Sequence, residues 1–149
     1  MSKTKPIRVE YQTLVIIWFL LLISQVLFLV AVYLLRPALF PFDTSRSFLG
    51  DNPYVTIAFA ALAFIFFILS FVLGRQHMRR AVQDQDAGCV QTGLVLGCAL
   101  SEVASIFGMI LAILFEHPYF YLWIVLGTLG ILLHFPRKGN LDAAMFKAK

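Results

Sequence analysis

One carboxylate interrupts an otherwise uncharged apolar stretch of this sequence. Glu102 lies near the middle of residues 92–115, and the residues around it are almost all apolar or small. If this stretch crosses a membrane as a helix, a charged carboxylate at its centre costs about 3 kcal/mol on insertion scales. A protein avoids this cost when it protonates the group, pairs it with a cation or faces it into a wet cavity. Glu102 is therefore the residue whose chemistry most needs an explanation.

The side chains available to Glu102 at a similar depth hydrogen-bond but carry no positive charge. They are Ser24, Gln25, Cys98, Ser101, Ser105 and Thr128. Because none of them can neutralise a carboxylate, we expect Glu102 to be protonated and able to exchange a proton or a monovalent cation. The predicted ion or proton site is Glu102 with Gln25, Ser101 and Ser105. The alternative is a permanent hydrogen bond from Glu102 to Gln25 or a serine that fixes helix packing.

Other kinds of chemistry find little support in the sequence. There is no nucleophile–base pair, no phosphate-binding loop and no His/Cys spacing of a metal site, so we expect no enzyme, no metal and no small-molecule cofactor. Cys89 and Cys98 are nine residues apart in one predicted helix. They would be about 13 Å apart along that helix, too far for a disulfide.

The composition indicates which elements must position Glu102. Of the 149 residues, 60% are hydrophobic and 13% are charged, whereas soluble domains are nearer half and a quarter. Four apolar stretches, 13–35, 55–74, 92–115 and 119–135, approach the length of about 20 residues that a membrane-spanning helix needs. We therefore predict a single transmembrane domain over residues 1–149, an all-α four-helix bundle made of two antiparallel hairpins.

The segments between these stretches differ in character. Residues 36–54 contain three prolines and a glycine and predict a structured loop. Residues 75–91 are polar but lack proline, so helix can continue through them beyond the membrane on one or both sides. Glu116, His117 and Pro118 predict a tight turn between antiparallel neighbours.

Positive charges set the expected orientation. Lys and Arg cluster before the first helix, between the second and third, and after the fourth: Lys3, Lys5, Arg8, Arg75, Arg79, Arg80, Arg137, Lys138, Lys147 and Lys149. The other side has only Arg36 and Arg46, balanced by Asp43, Asp51 and Glu116. This bias predicts that both termini are cytoplasmic in a cell membrane, in bacteria the inner membrane. The net charge of +4 follows from topology and lipid headgroups, and we expect no nucleic-acid partner.

Two sequence patterns concern how the helices pack. Ser24-Gln25-Val26 and Ser101-Glu102-Val103 lie midway along the first and third helices, which indicates either a duplicated hairpin or a chance match. Small residues also recur every four positions on the third helix. They are Gly93, Gly97, Ser101 and Ser105, with Ala104, Gly108 and Ala112 on an adjoining stripe. This stripe predicts a close helix–helix contact, with Gly93, Gly97, Gly108 and Ala112 as its packing residues.

Residues 91–115 resemble the carboxylate-bearing helix of the rotary ATPase ring subunit, the c or proteolipid subunit. The resemblance rests on the run Ala-Leu-x-Glu-x-x-x-Ile-x-Gly-x-x-x-Ala, here from Ala99 to Ala112, and on Arg75-Gln76 in the preceding polar segment. It implies that Glu102 binds and releases H⁺ or Na⁺ within an oligomer. The departures are that residues 55–74 have Phe and Ile where that family has glycines, and that Glu102 is in the third helix rather than the last.

Two further resemblances concern the whole chain. It resembles the small four-helix bacterial membrane proteins of unknown function. It also shares four helices and one membrane carboxylate with the small multidrug transporters, in which the carboxylate is on the first helix, where Gln25 stands here.

These observations leave two hypotheses. In the first, the chain is a small multi-pass membrane protein in which Glu102 exchanges a proton or cation, as a homo-oligomer or within a larger membrane complex. In the second, it is an accessory subunit of such a complex without transport activity, and Glu102 is a buried hydrogen-bonding group. The partners expected in both cases are the lipid bilayer and other membrane helices.

Overall fold

The computed structural model describes residues 11–41 and 46–145. These residues form helices and, within the described ranges, no strand: α1 (Tyr11–Leu35), α2 (Pro53–Asp84), α3 (Ala87–Phe115), α4 (Phe120–Leu133) and α5 (Lys138–Met145), with a 3₁₀ turn at Pro37–Leu39. The all-α prediction is confirmed. The orientation argument partly rests on Lys3, Lys5, Arg8, Asp43, Lys147 and Lys149, which lie outside the described residues.

Three helices are long and apolar enough to cross a membrane. They are α1, α2 and α3, and there are four such spans if α4 and α5, which meet at a bend of 45°, count as one. This is consistent with a multi-pass membrane protein. The 14 residues of α4 give a helix of about 21 Å, shorter than a typical hydrocarbon core of about 30 Å.

Two helix boundaries differ from those expected. We predicted helices over 55–74 and 92–115, but α2 continues to Asp84 and α3 begins at Ala87. The polar segment therefore stays helical and turns within two residues. Gln85 takes a left-handed conformation (φ 52°) that ends α2, and the Asp86 side chain accepts a 2.8 Å hydrogen bond from the Gly88 N–H to begin α3.

The molecule is organised around α3. Of the most apolar window of each helix, 39% is buried in α3, against 11% in α1 and 17% in α2. Helix α3 packs against all the other four, whereas α1 packs on α3 and α4 and shares no substantial interface with α2. The predicted first hairpin, α1 with α2, is thus wrong as a packing unit, because α1 packs on α3 and α4 whereas α2 packs on α3 and α5. The α2–α3 and α3–α4 pairs are the antiparallel hairpins.

The end of the molecule that contains the start of α1 is rich in positive charge. The Tyr11 hydroxyl donates to the Pro136 carbonyl at 3.2 Å, so the start of α1 meets the end of α4. Arg75, Arg79, Arg80, Arg137 and Lys138 lie at this end, which we call the basic end. Helix α5 folds against it, and Leu141 and Ala144 are buried in the same apolar cluster as Ala81 and Ala87.

At the other end, Arg36 joins the ends of α1 and α3. Its Nε and Nη2 donate to the Ile113 carbonyl at 3.2 and 3.1 Å, and its Nη1 lies 2.6 Å from Glu116 Oε1. A guanidinium at the last carbonyls of a helix also interacts favourably with the helix dipole. Because the carboxyl ends of α1 and α3 lie together, these two helices run parallel, and their midpoints lie at similar heights.

Candidate functional site: a polar seam between α1 and α3

Glu102 meets α1 halfway along its length. The Glu102 Oε1 atom and the Ser24 hydroxyl form a short hydrogen bond. Both side chains are half-buried, so the carboxyl lies at the edge of the α1–α3 interface. Its second oxygen has no hydrogen bond with any described residue. The two mid-helix polar pairs that the sequence places at the same depth are therefore in contact.

The residue after Ser24 connects this contact to the interior. Gln25 is only 3% exposed, and the Ser105 hydroxyl donates a short hydrogen bond to its Oε1. The Gln25 Nε2 donates to Ser24 Oγ at 3.3 Å. The four side chains thus form a continuous chain, Glu102–Ser24–Gln25–Ser105, that crosses twice between α1 and α3. We call this set the polar seam.

The protons available at Ser24 constrain the state of Glu102. A serine hydroxyl has one hydrogen to donate and two lone pairs to accept with. Ser24 Oγ lies 2.7 Å from the Leu21 carbonyl, which can only accept, and receives the Gln25 amide hydrogen. If the serine hydrogen goes to Leu21, the remaining lone pair of Ser24 can bond Glu102 only if the carboxyl donates. All three contacts are satisfied together when Glu102 is protonated.

No positive charge compensates Glu102 within the described part of the chain. It forms no ion pair there, and the 2.6 Å Arg36–Glu116 pair lies at the end of the helices. Nor do any three His, Cys, Asp or Glu side chains of the described residues converge as metal ligands would. The chemistry that the polar seam can support is hydrogen bonding and proton transfer.

One predicted site residue lies elsewhere. We expected Ser101 beside Glu102, but it is fully buried on another face of α3, where its hydroxyl donates to the Gly97 carbonyl at 2.9 Å and contacts Ser70 Oγ at 3.3 Å. Successive residues of a helix point about 100° apart, so neighbours in sequence face different partners. Thr128, named as a possible partner, donates to the Ile124 carbonyl of its own helix at 2.7 Å.

The small residues of α3 lie where other helices come close. A Cβ added at Gly108 would lie 2.6 Å from Trp123 Cβ, and one at Gly97 would lie 2.7 Å from His134 Nε2. A Cβ at Gly130 of α4 would lie 2.6 Å from Ser101 Cβ. We call this α3–α4 contact the close-packed seam. A Cβ at Gly93 would instead lie 2.8 Å from His77 Cβ of α2, and Ala112 is buried with Val32 and Phe120.

Two aromatic groups that hold α4 in place were not expected from the sequence. Trp18 Nε1 donates to the Ile131 carbonyl at 2.8 Å, and its ring meets Phe135 edge-on at 5.0 Å. His134 packs between α2 and α3, with Nδ1 2.7 Å from the Gly130 carbonyl and its ring 4.7 Å from Phe71. The available signal was Gly97, since a small residue inside an apolar helix indicates a bulky neighbour.

Comparison of the chain with protein-family models, with curated proteins and with solved structures finds no match.

Proposed function

We propose that this chain is a multi-pass membrane protein in which the Glu102 carboxyl binds and releases a proton, or exchanges it for a monovalent cation. The observation that supports this most directly is the hydrogen-bond count at Ser24, which is complete with a protonated Glu102. The absence of a cation beside Glu102 among the described residues has the same implication, because a permanently ionised carboxylate needs a compensating charge.

The polar seam offers a defined route for losing the proton. In the protonated arrangement, Glu102 donates to Ser24, which donates to the Leu21 carbonyl 2.7 Å away. When Glu102 loses its proton, the Ser24 hydrogen rotates toward the carboxylate, and the Leu21 carbonyl loses that bond. The Gln25 amide, whose Nε2 lies 3.3 Å from Ser24 Oγ, then still donates to that hydroxyl and polarises it toward the carboxylate. One hydroxyl rotation thus separates the two states.

The half-buried position of Glu102 indicates where the proton leaves. The carboxyl lies at the edge of the α1–α3 interface, and its second oxygen is unbonded within the described residues. Open hydrocarbon cannot accept the charged form at low cost. We therefore propose that a second copy of the chain or a partner subunit covers this edge and completes the exchange site.

The proposed orientation follows from charge. With α4 and α5 forming the fourth crossing, both ends of the chain lie on one side, and the basic end faces the cytoplasm. The Arg36–Glu116 pair then lies on the opposite side of a cell membrane.

Labelling with a lipid-soluble carbodiimide tests the exchange proposal, because this reagent modifies protonated carboxyls in apolar surroundings. Purified chain in lipid vesicles is labelled from acid to alkaline pH, and the modified residue is identified by mass spectrometry. We expect Glu102 to be labelled, labelling to fall as pH rises, and Na⁺ to protect if the site also takes cations. Glu102→Gln should remove this label, and Glu116→Gln should leave it unchanged.

The second candidate function is an accessory subunit in which the polar seam only holds α1 to α3. The observation that favours it is that two of the seam's bonds, Ser24–Glu102 and Gln25–Ser105, join these two helices. A folded chain whose Glu102 is not labelled at any pH would contradict exchange and support this function.

A further inference from the structure

A cavity opens at the basic end of the molecule, away from the polar seam. It measures about 310 Å³ and lies where α1, α2, α3 and α4 meet the start of α5. Its polar lining is Arg75, His134, Arg137 and Asn140, and its apolar lining includes Leu14 and Phe71. This volume is at the lower end of the range for small-molecule pockets.

Two arginines that line this cavity have no charge partner among the described residues. Arg75 belongs to α2 and Arg137 precedes α5, so the fold brings them to one cavity from distant parts of the chain. Neither forms an ion pair within the described residues. Acidic side chains do lie at this end, at Asp84, Asp86 and Asp142, but none of them lines the cavity. Two arginines without an ion pair in the described part of the chain, in a cavity that Asn140 also lines, are suited to a phosphate, which arginine binds with two parallel N–H bonds.

The surroundings of the arginines distinguish a lipid from a soluble anion. Leu133 and Phe135 line the same cavity and are 64% and 47% exposed, so its apolar wall continues onto the outer surface of the helices. A soluble phosphate gains no binding energy from such an apolar wall, whereas a phospholipid can place its acyl chains along it. Basic pockets between membrane helices on the cytoplasmic side are suited to anionic headgroups.

We infer that this cavity binds the phosphate of an anionic phospholipid, with Arg75 and Arg137 contacting the headgroup, Asn140 as a further donor, and Leu133 and Phe135 against the acyl chains. His134 is part of the wall rather than a ligand, because its ring nitrogens face the Gly130 and Ser70 carbonyls at 2.7 and 3.4 Å. The bound lipid joins α2 to the segment that leads into α5. This inference does not depend on the exchange role of Glu102.

The test counts lipids bound to the full chain. Purified protein in detergent is titrated with phosphatidylglycerol, phosphatidylcholine or inorganic phosphate, and bound molecules are measured by native mass spectrometry. We expect phosphatidylglycerol to bind most tightly, and Arg75→Gln/Arg137→Gln to weaken its binding at least about tenfold. The matched control is Arg79→Gln/Arg80→Gln, which removes two exposed charges from the same end without touching the cavity, and should weaken binding far less.

Three outcomes would overturn the inference. Equal losses in the two double variants would show diffuse surface attraction instead of a built site. Undiminished binding in Arg75→Gln/Arg137→Gln would exclude these arginines. Inorganic phosphate that displaces phosphatidylglycerol at comparable concentration would assign the cavity to a soluble anion. Circular dichroism checks folding, and if the double variant does not fold, each single variant should still weaken binding by about fivefold.

Discussion

Two of the contacts that hold helix α3 are of opposite character. On the α1 side, the polar seam joins the helices through hydrogen bonds between Ser24 and Glu102 and between Gln25 and Ser105. On the α4 side, the close-packed seam depends on close approach of the helices at its glycines. Within lipid, apolar side chains gain little from leaving one hydrocarbon environment for another, so helices associate through packing and polar bonds. In this chain, polar bonds hold α3 to α1, and close packing holds α3 to α4.

The largest expected effect comes from filling the close-packed seam. Gly108→Leu should strongly destabilise the protein, by about 3 kcal/mol or more, because the new Cβ would lie 2.6 Å from Trp123 Cβ and 2.9 Å from the Phe120 carbonyl, and backbone cannot yield as a flexible side chain does. Unfolding in mixed detergent measures the loss. Gly139→Leu is the control, since nothing lies within 4 Å of a Cβ there. Equal stability of the two variants would refute close approach at Gly108.

Removing a hydrogen bond of the polar seam should change the free energy of unfolding less than filling the close-packed seam does. A double-mutant cycle with Gln25→Leu and Ser105→Ala should yield a coupling of about 0.6–1.7 kcal/mol, the range for hydrogen bonds between membrane helices. The control cycle pairs Gln25→Leu with Ser101→Ala, because Ser101 contacts Ser70 and Gly97 instead. A coupling in the control as large as that with Ser105 would argue against the specific Gln25–Ser105 bond.

At the end of the α1–α3 contact, Arg36 serves both a part-buried carbonyl acceptor and a surface ion pair, and two variants separate their contributions. Arg36→Gln should cost about 1 kcal/mol, because the Ile113 carbonyl loses two donors. Glu116→Gln should cost less, within about 0.5 kcal/mol, because the Arg36–Glu116 pair is 42% and 58% exposed and screened by solvent. The same unfolding assay compares the stability lost in the two variants. A larger loss in Glu116→Gln would mean that the ion pair contributes more stability than the bonds from Arg36 to the Ile113 carbonyl.

Acidification should destabilise the turn between α3 and α4, which contains His117, and should leave the polar seam unchanged. Burial lowers the pKa of His117, with the Phe48 backbone opposing part of the shift, and the Tyr119 N–H donates to its Nδ1 at 3.2 Å. A histidine whose pKa is lowered on folding contributes stability above its unfolded pKa of about 6.5, and that stability is lost as pH falls below it. We expect the protection of the amides of residues 117–120 against hydrogen exchange, corrected for the intrinsic rate at each pH, to fall in acid. His117→Gln should largely abolish this dependence, and His77→Gln should not.

The sequence predicts the apolar helices and the depth of their polar residues well. Hydropathy marks the spans, and the matching positions of Ser24-Gln25 and Ser101-Glu102 anticipate a contact between α1 and α3. Residues 75–91 were correctly expected to allow continued helix, because they contain no proline. Their turn at Gln85 was not predicted, because its left-handed backbone falls on a residue other than the glycine that usually marks such a helix end.

Neighbour relations could not be read from the chain order. A long loop permits α1 to lie beside α2 or across from it, and only the completed packing, with α3 at the centre, decides this. The assignment of Ser101 failed for a related reason. Ser101 and Ser105 both belong to the small-residue stripe, and the sequence does not say that Ser105 faces Gln25 while Ser101 faces Ser70. His134 was missed because a histidine near a helix end is usually exposed, whereas this one fills the space left by Gly97.

The loop over residues 36–52 has a consequence for assembly. Because α1 shares no substantial interface with α2, α1 has none of its main neighbours in this fold until α3 and α4 have been synthesised. We expect the segment beginning at Pro53 to form its own compact unit, with α1 docking afterwards through the polar seam, Trp18 and Arg36. A chain cut within this loop should therefore reassemble when its two pieces are produced together, as a split protein does.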